Sequence, residues 1–266
     1  MNNNLNIAAI EYDIVWGNIN ENLQQVSRQL ATMPQSIDLV ILPEMFSTGF
    51  IVDKDMAEAL AERNTGATIS ALRAMAAEYR VAIAGSYLAR TAGRLYNRAF
   101  LIEPNGDESF YDKRHLFRMG GECDVYGSGD VESPVVRYRG WNIKIVVCYD
   151  LRFPVWCRST ARQSYDLLLV VANWPKVRSS AWHTLLAARA IENECYVCGV
   201  NRCGNDAQGI DYASHLSKIY DYKGFETGKW SEDEHTLLAS LDYDKLIAFR
   251  DKFPVWKDAD DFSIVI

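Results

Sequence analysis

The segment that ends at Cys148 is the part of this chain that points most directly to chemistry. An apolar, mostly β-branched run over residues 143–147 leads into the cysteine, and polar turn residues and Pro154 follow it. This pattern predicts a buried strand that carries a thiol at its carboxyl end. In sheets flanked by helices, ligand sites form at the carboxyl ends of strands. Cys148 is therefore a candidate nucleophile.

Two further reactive side chains also follow predicted strands. Glu44 comes after residues 40–43, and Lys113 comes after residues 110–112. If these strand ends meet at Cys148, a carboxylate, an ammonium and a thiol share one pocket. A nearby ammonium favours the thiolate form of a cysteine, and a carboxylate within hydrogen-bonding reach can accept its proton. The three groups are chemically sufficient for hydrolysis of an amide.

The same arrangement would stabilise the tetrahedral intermediate of such a reaction. We expect Lys113 and the backbone N–H of Tyr149 to hold the developing oxyanion. Glu44 would then protonate the departing ammonia and activate the water that cleaves the thioester on Cys148. This chemistry requires no metal ion and no organic cofactor, so we expect neither.

The sequences around these residues resemble the Glu-Lys-Cys triad motifs of the nitrilase (carbon–nitrogen hydrolase) superfamily. The motifs are LPEMFSTGF at Glu44, YDKRHLF at Lys113 and VVCYDLRFPVW at Cys148, and VANWP, ARAIENECYVCGVNRCG and SHLSKIYDYKG follow in order. The resemblance implies an α/β fold, a four-layer αββα sandwich, and homodimers that pack helices across the interface. It also implies that Glu122, in RMGGE, supports the lysine and positions the substrate.

Within the superfamily, the stretch YDKRHLFRMGGE is most similar to the bacterial ω-amidase branch. Members of that branch hydrolyse the terminal amide of 2-oxo dicarboxylic acid monoamides, such as 2-oxoglutaramate and 2-oxosuccinamate. The alternatives are another small amide, an N-carbamoyl amino acid or a nitrile as the substrate. An alternative from another class is a thiol-sensing or scaffold protein, which would not require Glu44, Lys113 and Cys148 together.

Three residues are candidates for contacts with the substrate. Arg118 and Arg152 are candidates for its carboxylate, because guanidinium groups bind carboxylates in a bidentate manner. The alternative for each is a structural ion pair. Trp174, which follows Asn173, either lines the pocket or packs in the core.

Other motifs receive simpler interpretations. The four histidines permit a cysteine–histidine hydrolase in principle, but none lies in a protease signature; they are His115, His183, His215 and His235. Gly127-Ser128-Gly129 predicts a turn rather than a phosphate loop. Cys195 and Cys198 have the spacing of a metal or redox pair, but residues three apart on a strand face opposite sides, which favours buried thiols.

The composition is that of an ordinary soluble protein, with 48% hydrophobic and 24% charged residues. The net charge of −7 argues against a nucleic-acid surface. The amino terminus lacks the pattern of a secretory signal, and no apolar run is long enough to span a membrane. We therefore expect a cytoplasmic protein with reduced thiols that acts on a small molecule, with neither nucleic acid nor a membrane as a partner.

Strand and helix patterns alternate along the chain without a linker, which predicts one domain over residues 1–266. Residues 81–88 with 96–102, and 135–138 with 142–148, predict antiparallel hairpins. Two packed mixed sheets with helices outside are the architecture that these hairpins favour.

Helices are predicted over residues 155–163 and 179–193, after Thr65, and after Asp242. The tail over residues 253–266 is too apolar to remain in water, so we expect it to pack on the body or across a dimer interface.

Overall fold

Most strands of this chain are apolar at consecutive positions, which requires cover on both faces of the sheets that they form. In the computed structural model, which describes residues 3–266, these strands build a seven-stranded and a six-stranded sheet. Both sheets are mixed, with parallel pairs at the centre and antiparallel pairs toward the edges. The predicted α/β class with two mixed sheets is confirmed.

The strands of the first sheet, in spatial order, are β14 (Lys229–Trp230), β15 (Thr236–Leu241), β1 (Leu5–Ile10), β2 (Leu39–Ile41), β3 (Ala82–Thr91), β4 (Arg94–Ile102) and β5 (Glu108–Asp112). Those of the second sheet are β13 (Glu226–Thr227), β12 (Lys218–Tyr220), β9 (Tyr196–Asn201), β8 (Leu167–Ala172), β7 (Trp141–Val147) and β6 (Val135–Tyr138). A separate two-stranded ribbon joins β10 (Gly204–Asn205) to β11 (Asp211–Tyr212).

The α-helices of the described chain are α1 (Ile19–Thr32), α2 (Lys54–Leu60), α3 (Ala67–Tyr79), α4 (Glu122–Val125), α5 (Pro154–Cys157), α6 (Ser179–Asn193) and α7 (Tyr243–Lys252). Short 3₁₀ turns lie at Arg118–Gly120, Cys148–Arg152, Lys176–Arg178 and Val255–Asp258. Among residues 3–266, no helix has both the length and the apolar character that crossing a membrane requires.

Alternation along the strands separates two hydrophobic cores and creates four layers. In β1, Ile7 and Ala9 face the core that the first sheet shares with the second sheet and α6. Ala8 and Ile10 face the opposite side, where the apolar stripes of α1 and α3 cover the sheet. The order of layers is therefore helices, first sheet, second sheet, helix, as the αββα expectation required.

Both predicted hairpins form as antiparallel pairs, β3 with β4 and β6 with β7. Helix α6 has the predicted bounds, and the Asp242 side chain accepts a hydrogen bond from the Lys245 N–H at 2.9 Å, which caps α7. Cys195 and Cys198 are buried free thiols, as predicted.

Two predictions of helix ends were wrong. Thr65 does not cap α3, because the Glu62 carboxylate bonds the N–H and hydroxyl groups of Thr68 in the first turn. The predicted helix over residues 155–163 ends at Cys157. The following chain is held to the end of α6, where the Ser159 N–H donates to Asn193 Oδ1 at 2.8 Å.

The Gly127-Ser128-Gly129 segment is an irregular stretch that packs along β4 and the end of β5, so the predicted turn was wrong. The Gly129 N–H donates to the Lys113 carbonyl at 2.9 Å, and a Cβ atom at Gly129 would lie 2.0 Å from the Asp112 carbonyl oxygen. Glycine is required here for close backbone approach. This segment thereby fixes the chain where β5 ends.

The carboxyl-terminal tail is largely exposed in the single chain. Phe253, Trp256 and Val265 are exposed, whereas Ile264 packs against the core between the sheets. Contact of the exposed part with a second subunit stays a prediction.

Candidate active site

The ends of three strands from both sheets bring Glu44, Lys113 and Cys148 together. Lys113 directly follows β5, Cys148 directly follows β7, and Glu44 comes shortly after β2. The Lys113 ammonium lies 2.9 Å from Glu44 Oε1, and the Cys148 thiol hydrogen-bonds the Glu44 carboxylate. All three side chains line one pocket. The convergence that the sequence predicted is present in the structure.

The Glu44 carboxylate is held by donors on both oxygens. Asn97 Nδ2 donates to Oε1 at 2.7 Å, beside the lysine, and the Asn173 backbone N–H donates to Oε2 at 2.8 Å. The Ser86 hydroxyl donates to Asn97 Oδ1, which fixes the orientation of the Asn97 amide. Glu44 is therefore presented in one orientation, with only 1% of its surface exposed.

Lys113 is a buried ammonium between two carboxylates. Its Nζ atom lies 2.9 Å from Glu44 Oε1 and 2.9 Å from each carboxylate oxygen of Glu122. Burial disfavours the charged form, but the negative charges of Glu122 and Glu44, and then Cys148, raise the pKa of Lys113 well above its usual value. The lysine therefore remains charged throughout the physiological pH range.

Glu122 begins the short helix α4 and is fully buried. Burial, and then the charge of Glu44, raise its pKa against the opposing effect of Lys113. Glu122 Oε2 also accepts the Phe117 N–H at 2.6 Å, and Oε1 accepts Asn97 Nδ2 at 3.2 Å. The structure thus places Glu122 behind the lysine, as the resemblance implied.

Cys148 occupies a strained position at the start of the 3₁₀ turn Cys148–Arg152. Its φ angle of 45° lies in the left-handed region, which is uncommon for a residue other than glycine. Burial and the Glu44 carboxylate raise the pKa of the thiol well above its usual value, although Lys113 lowers it. Lys113 lowers the pKa of the thiol, as predicted, but burial and Glu44 outweigh it, so the Cys148 thiol is protonated.

The pocket above these groups has aromatic walls and two guanidinium groups. Arg152 lies over the Trp174 ring at 4.9 Å, and Arg178 lies over the Phe117 ring at 5.2 Å. Tyr149 lines the same pocket. Arg152, Trp174 and Tyr149 thus all line the pocket, and their contacts with substrate stay predictions.

Arg118 does not reach this pocket. It lies exposed in the turn Arg118–Gly120, and its side chain is not part of the pocket wall. Arg178 takes the place that the prediction gave to Arg118. Its signal in the sequence is its position shortly after the carboxyl end of β8, the same criterion that identified Cys148.

The ribbon β10–β11 forms one wall of the pocket and was not predicted. It contributes Asp206 and Tyr212, whose carboxylate and hydroxyl groups are 3.0 Å apart. The buried Arg202 anchors the ribbon. Its guanidinium lies 4.8 Å from the Tyr212 ring and forms an ion pair with Asp13 at 2.6 Å. No histidine of the described chain lines the pocket, which disfavours the cysteine–histidine alternative.

Comparison with known proteins gives a consistent family. The family model described as carbon-nitrogen hydrolase matches residues 6–251. The omega-amidase YafV of Escherichia coli (strain K12) is 41% identical over 261 residues, which cover 98% of this chain and 98% of that protein. The 2-oxoglutaramate amidase of Bacillus subtilis (strain 168) is 30% identical over 254 residues, which cover 95% of this chain and 96% of the relative.

A solved structure agrees with these relatives. XC1258 from Xanthomonas campestris, a CN-hydrolase superfamily protein with an arsenic adduct in the active site, superposes with a TM-score of 0.92 at 38% identity. The match covers 98% of this chain and 99% of that one. The resemblance that the motifs indicated is confirmed, and this chain belongs to the carbon-nitrogen hydrolase family.

Proposed function

We propose that this protein is an ω-amidase that hydrolyses the terminal amide of 2-oxo dicarboxylic acid monoamides, such as 2-oxoglutaramate and 2-oxosuccinamate. The products are the 2-oxo dicarboxylate and ammonia. The observation that carries the proposal is a buried Glu44–Lys113–Glu122 cluster beside Cys148, at the base of a pocket that holds two guanidinium groups. The relatives from E. coli and B. subtilis bear the matching names.

The first half of the reaction forms a thioester. Glu44 accepts the thiol proton while Sγ of Cys148 bonds to the amide carbon. The carbonyl oxygen becomes an oxyanion, which the Lys113 ammonium and the Tyr149 N–H stabilise. Tyr149 is the second residue of a 3₁₀ turn, and the first N–H groups of a helix have no partner within it. Its N–H is therefore free to bind the oxyanion.

The second half releases both products. The Glu44 carboxyl group gives its proton to the leaving nitrogen, the C–N bond breaks and ammonia departs. Glu44 then takes a proton from a water molecule that attacks the thioester carbon. The C–S bond breaks, the proton returns to Cys148, and the free dicarboxylate leaves. Each proton transfer uses the same carboxylate, so the chain needs no cofactor for the cycle.

The guanidinium groups of Arg152 and Arg178 supply recognition of the far carboxylate of the substrate. Within residues 3–266, neither guanidinium forms an ion pair with a protein carboxylate. Arg152 instead lies over the Trp174 ring, and Arg178 lies over the Phe117 ring. A guanidinium that lies over an aromatic ring without an ion pair can donate its N–H groups to an incoming anion. This pairing favours a dicarboxylate monoamide over a simple amide or a nitrile, which offers no anion.

The thiol-sensing alternative conflicts with the electrostatics of Cys148. Cysteines that sense oxidants have lowered pKa values and accessible thiolates. The pKa of Cys148 is instead raised, by burial and then by Glu44, and the adjacent base supplies the activation. Such a thiol suits attack on a bound substrate rather than on a passing oxidant.

The assembly and location that we propose are a homodimer in the cytoplasm. All six cysteines are free thiols, which agrees with a reducing compartment. Exposed apolar side chains lie on α6 and in the tail, among them Ile191, Trp256 and Val265. A second subunit that covers α6 and the tail over residues 253–266 would remove these groups from water.

Ammonia release from 2-oxoglutaramate tests the proposed reaction. We expect the wild-type protein to release ammonia. Cys148→Ala and Glu44→Gln should release it at least about 10³-fold more slowly, because they remove the nucleophile and the base. Both substitutions preserve volume closely, so melting temperatures near the wild-type value serve as the control for folding. Wild-type release no faster than that of Cys148→Ala would contradict the proposal.

The pH dependence of Cys148 alkylation tests the role of Glu44 without substrate. Because the Glu44 charge raises the pKa of the thiol, Glu44→Gln should move the rise in alkylation rate to lower pH. Mass spectrometry of the peptide that contains Cys148, after treatment with iodoacetamide over a range of pH, measures this shift. Glu78→Gln, at an exposed helix position, is the matched control and should leave the profile unchanged. A shift to higher pH in Glu44→Gln would show that the assigned contact is wrong.

Three arginine variants test carboxylate recognition. Arg152→Met and Arg178→Met should each lower kcat/KM for 2-oxoglutaramate by about 10–100-fold, the loss expected for charge-assisted hydrogen bonds. Their kcat/KM for an uncharged aliphatic amide should change little. Arg118→Met lies outside the pocket and is the matched control, with unchanged kcat/KM. Equal losses of kcat/KM for charged and uncharged amides would show that these arginines have a structural role and do not bind the carboxylate.

A further inference from the structure

We infer that Asp150 is a positioning residue that fixes the Lys113 segment and the Cys148 segment against each other, through His115, Tyr111 and Val147. The inference rests on the proposed function, because it takes Lys113 and Cys148 as catalytic residues. None of Asp150, His115 and Tyr111 forms part of the described pocket wall, so this group acts through the catalytic residues rather than on the substrate.

The Asp150 carboxylate is fully buried and accepts four hydrogen bonds. Oδ1 accepts from the His115 backbone N–H at 2.9 Å and lies 2.8 Å from His115 Nδ1. Oδ2 accepts from the Tyr111 hydroxyl at 2.8 Å and from the Val147 N–H at 3.1 Å. Tyr111 and His115 lie two residues before and two residues after Lys113. Val147 directly precedes Cys148, so one carboxylate joins both catalytic segments.

The neighbours of this carboxylate fix the direction of each proton. Trp156 Nε1 and the Arg114 N–H donate to the Tyr111 hydroxyl at 2.9 and 3.0 Å, so the hydroxyl's own hydrogen is directed to Asp150. The His115 ring is stacked on Phe153, with centroids 3.7 Å apart and an interplanar angle of 11°. Because an ionised carboxylate only accepts hydrogen bonds, His115 Nδ1 carries a proton.

The strained backbone at Cys148 gives this cluster a function. A non-glycine residue in the left-handed region persists only where its surroundings hold it there. The bond from the Val147 N–H to Asp150 Oδ2 closes a short loop around Cys148, from the residue before it to the second residue after it. The same carboxylate anchors both flanks of Lys113. Asp150 therefore sets the position of the thiol relative to the lysine and, through the lysine, to Glu44.

All four partners of Asp150 donate hydrogen bonds, so Asp150→Asn introduces an NH₂ group that faces other donors at nearly unchanged volume. The expected result is a fall in kcat of about 100-fold, the effect of a displacement of about 1 Å at a reacting centre. KM should change by less than about threefold, since the pocket wall is untouched. His115→Phe keeps the stacked ring but removes the Nδ1 donor and should lower kcat in the same way. His115→Asn restores an N–H near that position and should recover part of the loss.

A second readout needs no substrate. In the wild-type background, Glu44→Gln shifts the pH dependence of Cys148 alkylation. In the Asp150→Asn background, Glu44→Gln should shift the pH dependence by less than about half of the shift seen in the wild-type background. The reason is that the thiol is no longer held against Glu44. If the wild-type protein releases no ammonia, the proposed function fails, and this comparison still decides the role of Asp150.

Melting temperatures separate positioning from simple stability. Folded variants with lowered melting temperatures but with wild-type kcat and an undiminished alkylation shift at 25 °C would overturn the inference. If Asp150→Asn does not fold, His115→Phe and His115→Asn carry the same test, since the histidine side chain is partly exposed and its loss removes one of the four bonds. Equal kcat for His115→Phe and wild type would also overturn it.

Discussion

The structure depends on one buried ammonium that is shared by two carboxylates. Removing a charge from water is costly, and a single buried carboxylate or lysine at this position would neutralise itself by a shift of its pKa. Lys113, Glu44 and Glu122 remain stable together because the lysine donates hydrogen bonds to both carboxylates. Removing Lys113 would leave two buried carboxylates without a cation, which is more damaging than the pairing is stabilising, whereas removing either carboxylate leaves the lysine with one partner.

This cluster has a surplus of negative charge, and that surplus determines the chemistry of the thiol. Burial and Glu44 hold the proton on Cys148, and Lys113 opposes them without prevailing. In the proposed mechanism the thiol therefore stays inactive until a substrate carbonyl arrives, when the lysine stabilises the developing oxyanion. The same electrostatics account for a proposed nucleophile, Cys148, that is not generally reactive as a free thiol.

The sequence predicted the site well where one rule applied throughout. Glu44, Lys113 and Cys148 each lie at or just after the carboxyl end of a predicted strand, and these strand ends meet at one pocket. Helix α6 was predicted over its whole length because its helix-forming residues and the spacing of its apolar face are both local signals.

The wrong or missing predictions concern side-chain contacts and chain directions that residue propensities do not encode. Thr65 is a good capping residue, but Glu62 already bonds the first turn of α3, and no local pattern shows this. Arg118 follows Lys113 closely in sequence, yet the turn at Arg118–Gly120 directs it to solvent. The ribbon β10–β11 has two short strands without alternation, and its position depends on the ion pair of Arg202 with Asp13, which are far apart in the chain.

Trapping of the covalent intermediate tests the central claim most directly. Wild-type protein mixed with 2-oxoglutaramate, quenched in acid during turnover and digested, should yield the Cys148 peptide with added mass equal to the substrate minus ammonia. Steady turnover with no adduct on Cys148, or an adduct on another residue instead, would contradict the account.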